Sequence, residues 1–310
     1  MPRLIDAGPP GPPMALDEAV AALEALRFDP EDAAAWDEAA PILARLSANR
    51  EFLGDIAVAA LRENEGVHVY GPQVLMLYRG RGAWFLRANM WPAEGDALLR
   101  ASGRAAFFYD LPHDHNFSFL TIGHHGPGYE SDYWEYDDDA VIGLPGEAVA
   151  LRFAGRQRLS PGKLMLYRAH RDIHDQKPPA AFSVSLNLME SSGREPWRDQ
   201  YRFAPARGRI DAVMSATALE ALIGLAAYVG GGGGRDLVEH VARRHPVDRI
   251  RFGAVRALAG AADDDGARIA ILEKAAARSD PYVSLMAARA LAEAPGVSAW
   301  AAFRSETDRE

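Results

Sequence analysis

Between Val67 and Met189 the chain is written almost entirely in short β-rich runs: VHVYG, QVLMLYRG, AWFLRANMW, AAFFYDL, FSFLTIG, SDYWEYDD, EAVALRF, KLMLYRAH and AFSVSLNLM. Turn signals separate them, among them Gly80–Gly82, Gly126–Gly128 and Pro161–Gly162. No stretch of helical length and period intervenes, so these runs cannot alternate with crossover helices. The chain must join them as neighbours in an antiparallel sandwich or barrel.

The flanks have a different period. Leu16, Val20, Leu23 and Leu26 recur at helical spacing after a Pro/Gly cluster, Gly8 to Pro13, that predicts a mobile leader. Further helical patterns cover Pro30 to Ser47 and Glu51 to Arg62, a section expected to pack as a flange on the β-rich stretch. Beyond Arg207 alanine-rich helical segments return, with Gly230 to Gly234 expected to form a flexible break. Within this region IRFGAVRAL, starting at Ile250, and VSLMAARAL, starting at Val283, match at a spacing of 33 residues. A period in the 30s with paired helices suggests an α-solenoid, and DPYVSLMAARALAEA resembles the second helix of HEAT-like repeats. The expectation is an α+β multidomain chain: a helical section over 1–66, a β domain over 67–205 and a HEAT-like helical domain over 206–310.

Composition narrows the chemistry. The chain has no cysteine, which removes disulfides, thiolate metal sites and a cysteine nucleophile, and leaves imidazole and carboxylate as metal ligands. A formal charge of -9 argues against a phosphate-neutralising surface, so nucleic acid is not an expected partner. No segment offers about 18 uninterrupted apolar residues, and the N-terminus lacks an apolar run of signal-peptide length. No membrane partner and a cytoplasmic location are the expectation. The five-glycine run lacks the Gly-Lys-Ser/Thr ending of a phosphate-binding loop, and no Gly-x-Ser-x-Gly elbow occurs.

Six of the nine histidines, His113, His115, His124, His125, His170 and His174, fall between positions 113 and 174, within the β domain. In DLPHDHNFSFLTIG, His113 and His115 are one residue apart, so on an extended backbone both point to one face while Asp114 points away. In LSPGKLMLYRAHRDIHDQ, a Pro-Gly turn precedes an apolar strand, and His174 lies just beyond it.

This pairing of motifs resembles the cupin superfamily, whose first motif carries His-x-His and whose second carries Pro-Gly, a short apolar strand and a third histidine. The resemblance covers about residues 67 to 190 and implies a cupin-type antiparallel β-barrel holding a divalent metal through His113, His115 and His174. The family pattern usually places a glutamate shortly after His-x-His. Here that stretch is NFSFLTIG, and the nearest glutamates are Glu130 and Glu135, which leaves the fourth position open between them and water. His170 is expected behind the ligands rather than among them. Imidazole donors suit Fe, Zn, Ni or Cu.

By analogy with the fold, the chemistry implied is that of a metal-dependent oxygenase, non-haem Fe(II) first, with or without 2-oxoglutarate, hydroxylating a side chain. A 2-oxoglutarate carboxylate would need a buried cation. Arg87, Arg152, Arg168 and Arg171 lie on or beside expected strands; Arg168 shares strand parity with His170 and His174 if that strand is regular, and Arg87 stands next to it as a candidate. The helical repeats suggest a peptide or protein substrate, or association of copies into a homo-oligomer. The competing reading is a non-catalytic cupin that senses a small ligand or metal and signals through its helical domain.

Overall fold

The computed structural model describes residues 1–9, 11–62, 72–80, 82–193 and 197–293; the expected strand VHVYG lies outside them. The chain is α+β and divides into two compact units, Met1–Ala140 with Ala148–Ala212, and Val141–Glu147 with Val213–Glu310.

The first unit is built on a six-stranded antiparallel sheet in the order β1 (Arg3–Ile5), β7 (Leu164–Tyr167), β4 (Phe119–His125), β9 (Ser183–Glu190), β3 (Trp84–Trp91), β2 (Val74–Arg79). A three-stranded antiparallel sheet, β6 (Arg152–Arg158), β5 (Glu130–Glu135), β8 (Asp172–Lys177), forms its second layer. A short hairpin joins β10 (Tyr201–Ala204) to β11 (Arg209–Val213). The segment expected as leader is preceded by β1, which pairs Leu4 with Met165.

Alternation along the strands sorts side chains into two cores. Leu86, Leu120, Ile122, Leu164, Leu166, Leu186 and Leu188 face α1 (Leu16–Ala25) and α2 (Ala35–Ala48), where they meet Leu23, Trp36, Leu43 and Leu46. Each such leucine, fully buried, contributes about 1.5–3 kcal/mol. The opposite parity, Trp91, Phe119, Met165, Tyr167 and Met189, meets Tyr133 of β5 and Tyr129 in a second, largely aromatic core. The large sheet is thus buried on both faces, helices on one and the small sheet on the other. α3 (Phe52–Arg62) completes the N-terminal helices, with Leu53 and Ile56 packed on the first core.

Two expected strands take other forms. AAFFYDL holds a 3-10 turn at Arg104–Phe107, after α4 (Ala97–Ser102), and its Phe108 and Asp110 adopt left-handed backbone angles of φ 57° and 54°. Two such residues in three interrupt an extended run, leaving only Tyr109 bridged to Gln176. The strand expected at EAVALRF begins five residues later, at Arg152, because the Glu147 carboxylate accepts the amides of Ile142, Gly143 and Leu144 and closes a tight turn.

The second unit is helical: α5 (Ala218–Val229), α6 (Gly231–Arg244), α7 (Asp248–Gly260), α8 (Asp265–Ala276), and then residues 281–293. Thr217 caps α5, its hydroxyl accepting the Leu219 amide while its own amide donates to Glu220. The glycine run is helix rather than break: α6 starts within it. A Cβ at Gly230 or Gly234 would stand 2.5 or 2.4 Å from the Ala226 carbonyl oxygen, so glycine there permits the close turn between α5 and α6. The segments matched by the 33-residue spacing bury equivalent positions, Ile250 with Val283 and Ala254 with Ala287.

Candidate metal centre

His113 and His174 come together through the backbone first. The His113 amide donates to the His174 carbonyl at 3.1 Å, and the His174 amide returns the bond to His113 at 2.9 Å. This reciprocal bridge pins the loop that carries His113 to the middle of β8. His115, two residues on, shares the face of His113; its carbonyl accepts the His170 amide at 2.9 Å. Asp114 turns the other way, fully buried, accepting the Tyr136 hydroxyl at 2.6 Å and the Tyr201 amide at 2.7 Å. Burial lifts its carboxyl to about 7, against the pull of those two donors.

The result is a cluster of ring nitrogens, one from each histidine, within 4.8 Å of one another. Nε2 of His174 lies 2.9 Å from Nε2 of His115 and 3.1 Å from Nε2 of His113. Burial drives the His113 imidazole down to about 4, against the Leu111 carbonyl, and holds His115 and His174 well below the usual histidine range, their neighbours adding to it. All three rings are therefore neutral near pH 7. The Leu111 carbonyl lies 2.6 Å from His113 Nδ1, so that nitrogen keeps the proton and Nε2 presents a lone pair to the cluster.

Without a cation, Nε2 contacts this short need one ring to donate its Nε2–H to the next, and only His113 has its tautomer fixed by a close partner. A divalent ion at the shared point would let all three Nε2 atoms serve as acceptors at once. With metal–nitrogen bonds of about 2.0–2.1 Å at roughly right angles, neighbouring nitrogens stand about 2.9 Å apart, so the donor set fits. Aromatic rings close in around it: Phe119 edge-on to His115 at 5.0 Å, Phe117 at 4.9 Å, Phe108 against His113 at 5.4 Å and Tyr167 against His174 at 4.9 Å.

Other residues singled out by sequence stand elsewhere. Glu130 pairs with Arg158, and Glu135 with Arg168, Arg152 and the Met1 ammonium; neither belongs to the histidine cluster. His174 sits within the strand after the one expected to precede it, β8 rather than just past β7. His170 occupies the intervening turn with a left-handed φ of 54° and breaks the parity that would align Arg168 with His174. Arg168 instead grips Asp172 through two nitrogens, at 2.6 and 2.8 Å. The His170 ring is buried 3.6 Å from Asp138 and 3.8 Å from Asp114, on the far side of the ligand loop. Of the four arginines weighed, Arg87 alone lines the cavity beside the three histidines, which measures about 150 Å³.

Sequence reasoning missed the cavity's polar floor: Asn89, Asn187 and Gln176 also line it. Their signal was present in the alternation of SVSLNLME, where the polar positions turn out to face inward.

No family model and no curated protein matches this chain. Among solved structures, similarity extends to hydroquinone 1,2-dioxygenase PnpCD (11% identity, 41% of this chain and 68% of that one, TM-score 0.25). It extends also to the DMSP lyase DddQ of Ruegeria pomeroyi DSS-3 (14%, 62% and 79%, TM-score 0.24) and to a recombinant oxalate oxidase in complex with glycolate (9%, 64% and 77%, TM-score 0.24). At TM-scores this low, the architecture rests on the chain's own strand order and register.

Proposed function

We propose that the chain is a metal-dependent oxygenase in which His113, His115 and His174 hold a divalent ion, iron(II) foremost. The observation that carries this reading is the convergence of three neutral imidazoles, with the Nε2 atoms of His115 and His113 standing 2.9 and 3.1 Å from that of His174. A bound ion with open positions supplies Lewis acidity and, as iron(II), a means of engaging dioxygen. The protein's own residues do the rest. Leu111 fixes the His113 tautomer, and the backbone bridge between His113 and His174 holds two donors in register. Phe108 packs its ring against His113, and Phe117 and Phe119 pack theirs against His115.

The resemblance to the cupin superfamily belongs to this proposal, as do closure of the two sheets into a barrel and use of 2-oxoglutarate as cosubstrate. Recognition of a peptide or protein through the helical unit, HEAT-like stacking of its helices, self-association and a cytoplasmic location are part of the same reading. Among the described residues no helix is long and apolar enough to cross a membrane.

The test is elemental analysis of the purified chain after reconstitution with iron(II), followed by oxygen-electrode measurements with and without 2-oxoglutarate. One ion per chain is expected, lost in His113→Ala and His174→Ala. Failure to retain any ion after reconstitution refutes the metal centre, and an iron-loaded chain that consumes no oxygen with any candidate substrate refutes the oxygenase.

A further inference from the structure

The interior around the histidines is not uniformly apolar. Arg87 on β3 and Asn187 on β9 are direct cross-strand partners, and Asn187 is in turn opposite Thr121 on β4. With period-2 alternation these three side chains form one transverse row on the inner face of the large sheet. Asn89, two residues along β3, extends the row, and Gln176 faces it from β8. Asn89, Thr121, Gln176 and Asn187 are each at most 7% exposed.

Among the described residues this row is short of partners. Arg87 Nε, Asn89 Oδ1, Thr121 Oγ1, Gln176 Oε1 and Asn187 Nδ2 are all sealed from solvent with no hydrogen-bond partner. Leaving a buried polar group unmade costs about 1–3 kcal/mol, so four of them on one cavity wall, Arg87, Asn89, Gln176 and Asn187, mark a site that something else completes. Arg87 has no carboxylate partner among the described residues, unlike Arg168, which has two. Burial lowers its guanidinium to about 10, the direction expected of a cation desolvated without a counterion. The unmade set includes a cationic donor, an amide donor and carbonyl acceptors, which suits an anion that also carries a hydroxyl or amino donor.

The geometry points to a carboxylate subsite at Arg87 and Asn187, so that the cavity takes a small polar carboxylic acid with its carboxylate on the guanidinium and its neighbouring polar group turned toward the three histidines. Size sets the scale: a cavity of about 150 Å³ accommodates a molecule on the order of benzene. A folded peptide segment exceeds that, whereas a small hydroxy-, amino- or oxo-acid does not. The guanidinium fork matches a carboxylate in two parallel bonds, and its Nε–H is one of the donors left unmade. The role of the subsite rests on the metal-enzyme reading, but binding of the acid can be measured without it.

The experiment titrates glycolate, pyruvate, succinate and 2-oxoglutarate into the full chain, metal-free and zinc-loaded, by calorimetry, with glycolamide and pyruvamide as uncharged controls. Acids are expected to bind and amides to bind at least about tenfold more weakly, as befits a lost charge-assisted pair. Arg87→Met should weaken acid binding roughly ten- to hundredfold, and Arg87→Lys less, since it keeps the charge and loses the fork. Asn187→Asp supplies Arg87 with an internal carboxylate, so it should fold at least as stably as wild type and still lose the acids. Zinc stoichiometry, measured on every sample, should be unchanged in all three variants.

Equal binding of acids and amides, undiminished binding in Arg87→Met or Asn187→Asp, or no acid binding at about 10 mM overturns the subsite. Full zinc with no acid bound sinks the subsite and spares the metal centre, while acid bound by a chain that holds no zinc does the reverse. Binding of plain carboxylates without metal identifies a substrate anchor, and binding restricted to 2-oxo acids on the zinc-loaded chain identifies a cosubstrate anchor; either supports the assignment.

Discussion

Replacing His174 by alanine removes the imidazole whose Nε2 lies within 3.1 Å of both others, with two separable effects. Without metal, the ring is 2% exposed, and its loss opens a void of the kind that costs about 2–5 kcal/mol for a large buried side chain. Part of that cost is offset, because His174 Nδ1 has no partner and an unsatisfied buried polar atom costs about 1–3 kcal/mol. The metal-free variant should therefore be destabilised modestly. With metal, the wild-type chain gains RT ln(1 + [L]/Kd), about 2.7 kcal/mol at a free ion concentration one hundred times Kd. For a unit of this size each kcal/mol moves Tm by about 2–4 °C, so the ion-dependent rise should be about 5–11 °C. The variant at the same free zinc should show a small fraction of it. Differential scanning calorimetry of both chains, metal-free and zinc-loaded, reads the increment independently of the baseline. His124→Ala serves as the control: that ring is 3% exposed and lies away from the cluster, so the variant should lose baseline stability and keep the increment. A full zinc increment in His174→Ala, or its loss in His124→Ala, would refute the assignment of the cluster as the metal centre.

His124 also carries a pH signature. Burial, helped by Arg50, lowers its pKa from about 6.5 to about 4, so the unfolded chain binds the extra proton first. Its contribution is complete above pH 6.5 and falls as pH drops toward 4, by about 3 kcal/mol in all; urea midpoints across that window should converge between wild type and His124→Leu as pH is lowered. Leu186→Ala, at a fully buried position facing the helices, should cost about 2–5 kcal/mol in urea unfolding; a cost below 1 kcal/mol would contradict the two-faced burial of the large sheet. In the helical unit, Gly234→Ala meets the Ala226 carbonyl and should destabilise by about 1–3 kcal/mol, whereas Gly232→Ala, with open space around it, should be neutral or stabilising by about 0.5–1 kcal/mol. Equal thermal shifts for the two would show that the α5–α6 turn is looser than described.

What the sequence determined by itself is what depends on local spacing. His113 and His115 share a face because one residue separates them on extended backbone, and Asp114 turns away for the same reason. The change of period at each end of the β-rich stretch separates strands from helices, because 2.0 and 3.6 are properties of the backbone and not of its neighbours. Tertiary structure decided which face is which. The alternation in SVSLNLME shows two faces to β9, but an amphipathic strand reads the same whether its polar side meets water or lines a site. Only the helices packed over Leu186 and Leu188 reveal that Asn187 points inward, beside Arg87, and not to solvent. Likewise a single left-handed residue, His170, shifted the parity that had favoured Arg168, and ion pairs with Arg158, Arg168 and Arg152 drew Glu130 and Glu135 away from the cluster. Strand order and charge pairing join residues far apart in the chain, whose proximity no local pattern encodes. The donors could therefore be named from spacing, while the floor on which a ligand would rest came only from the assembled sheets.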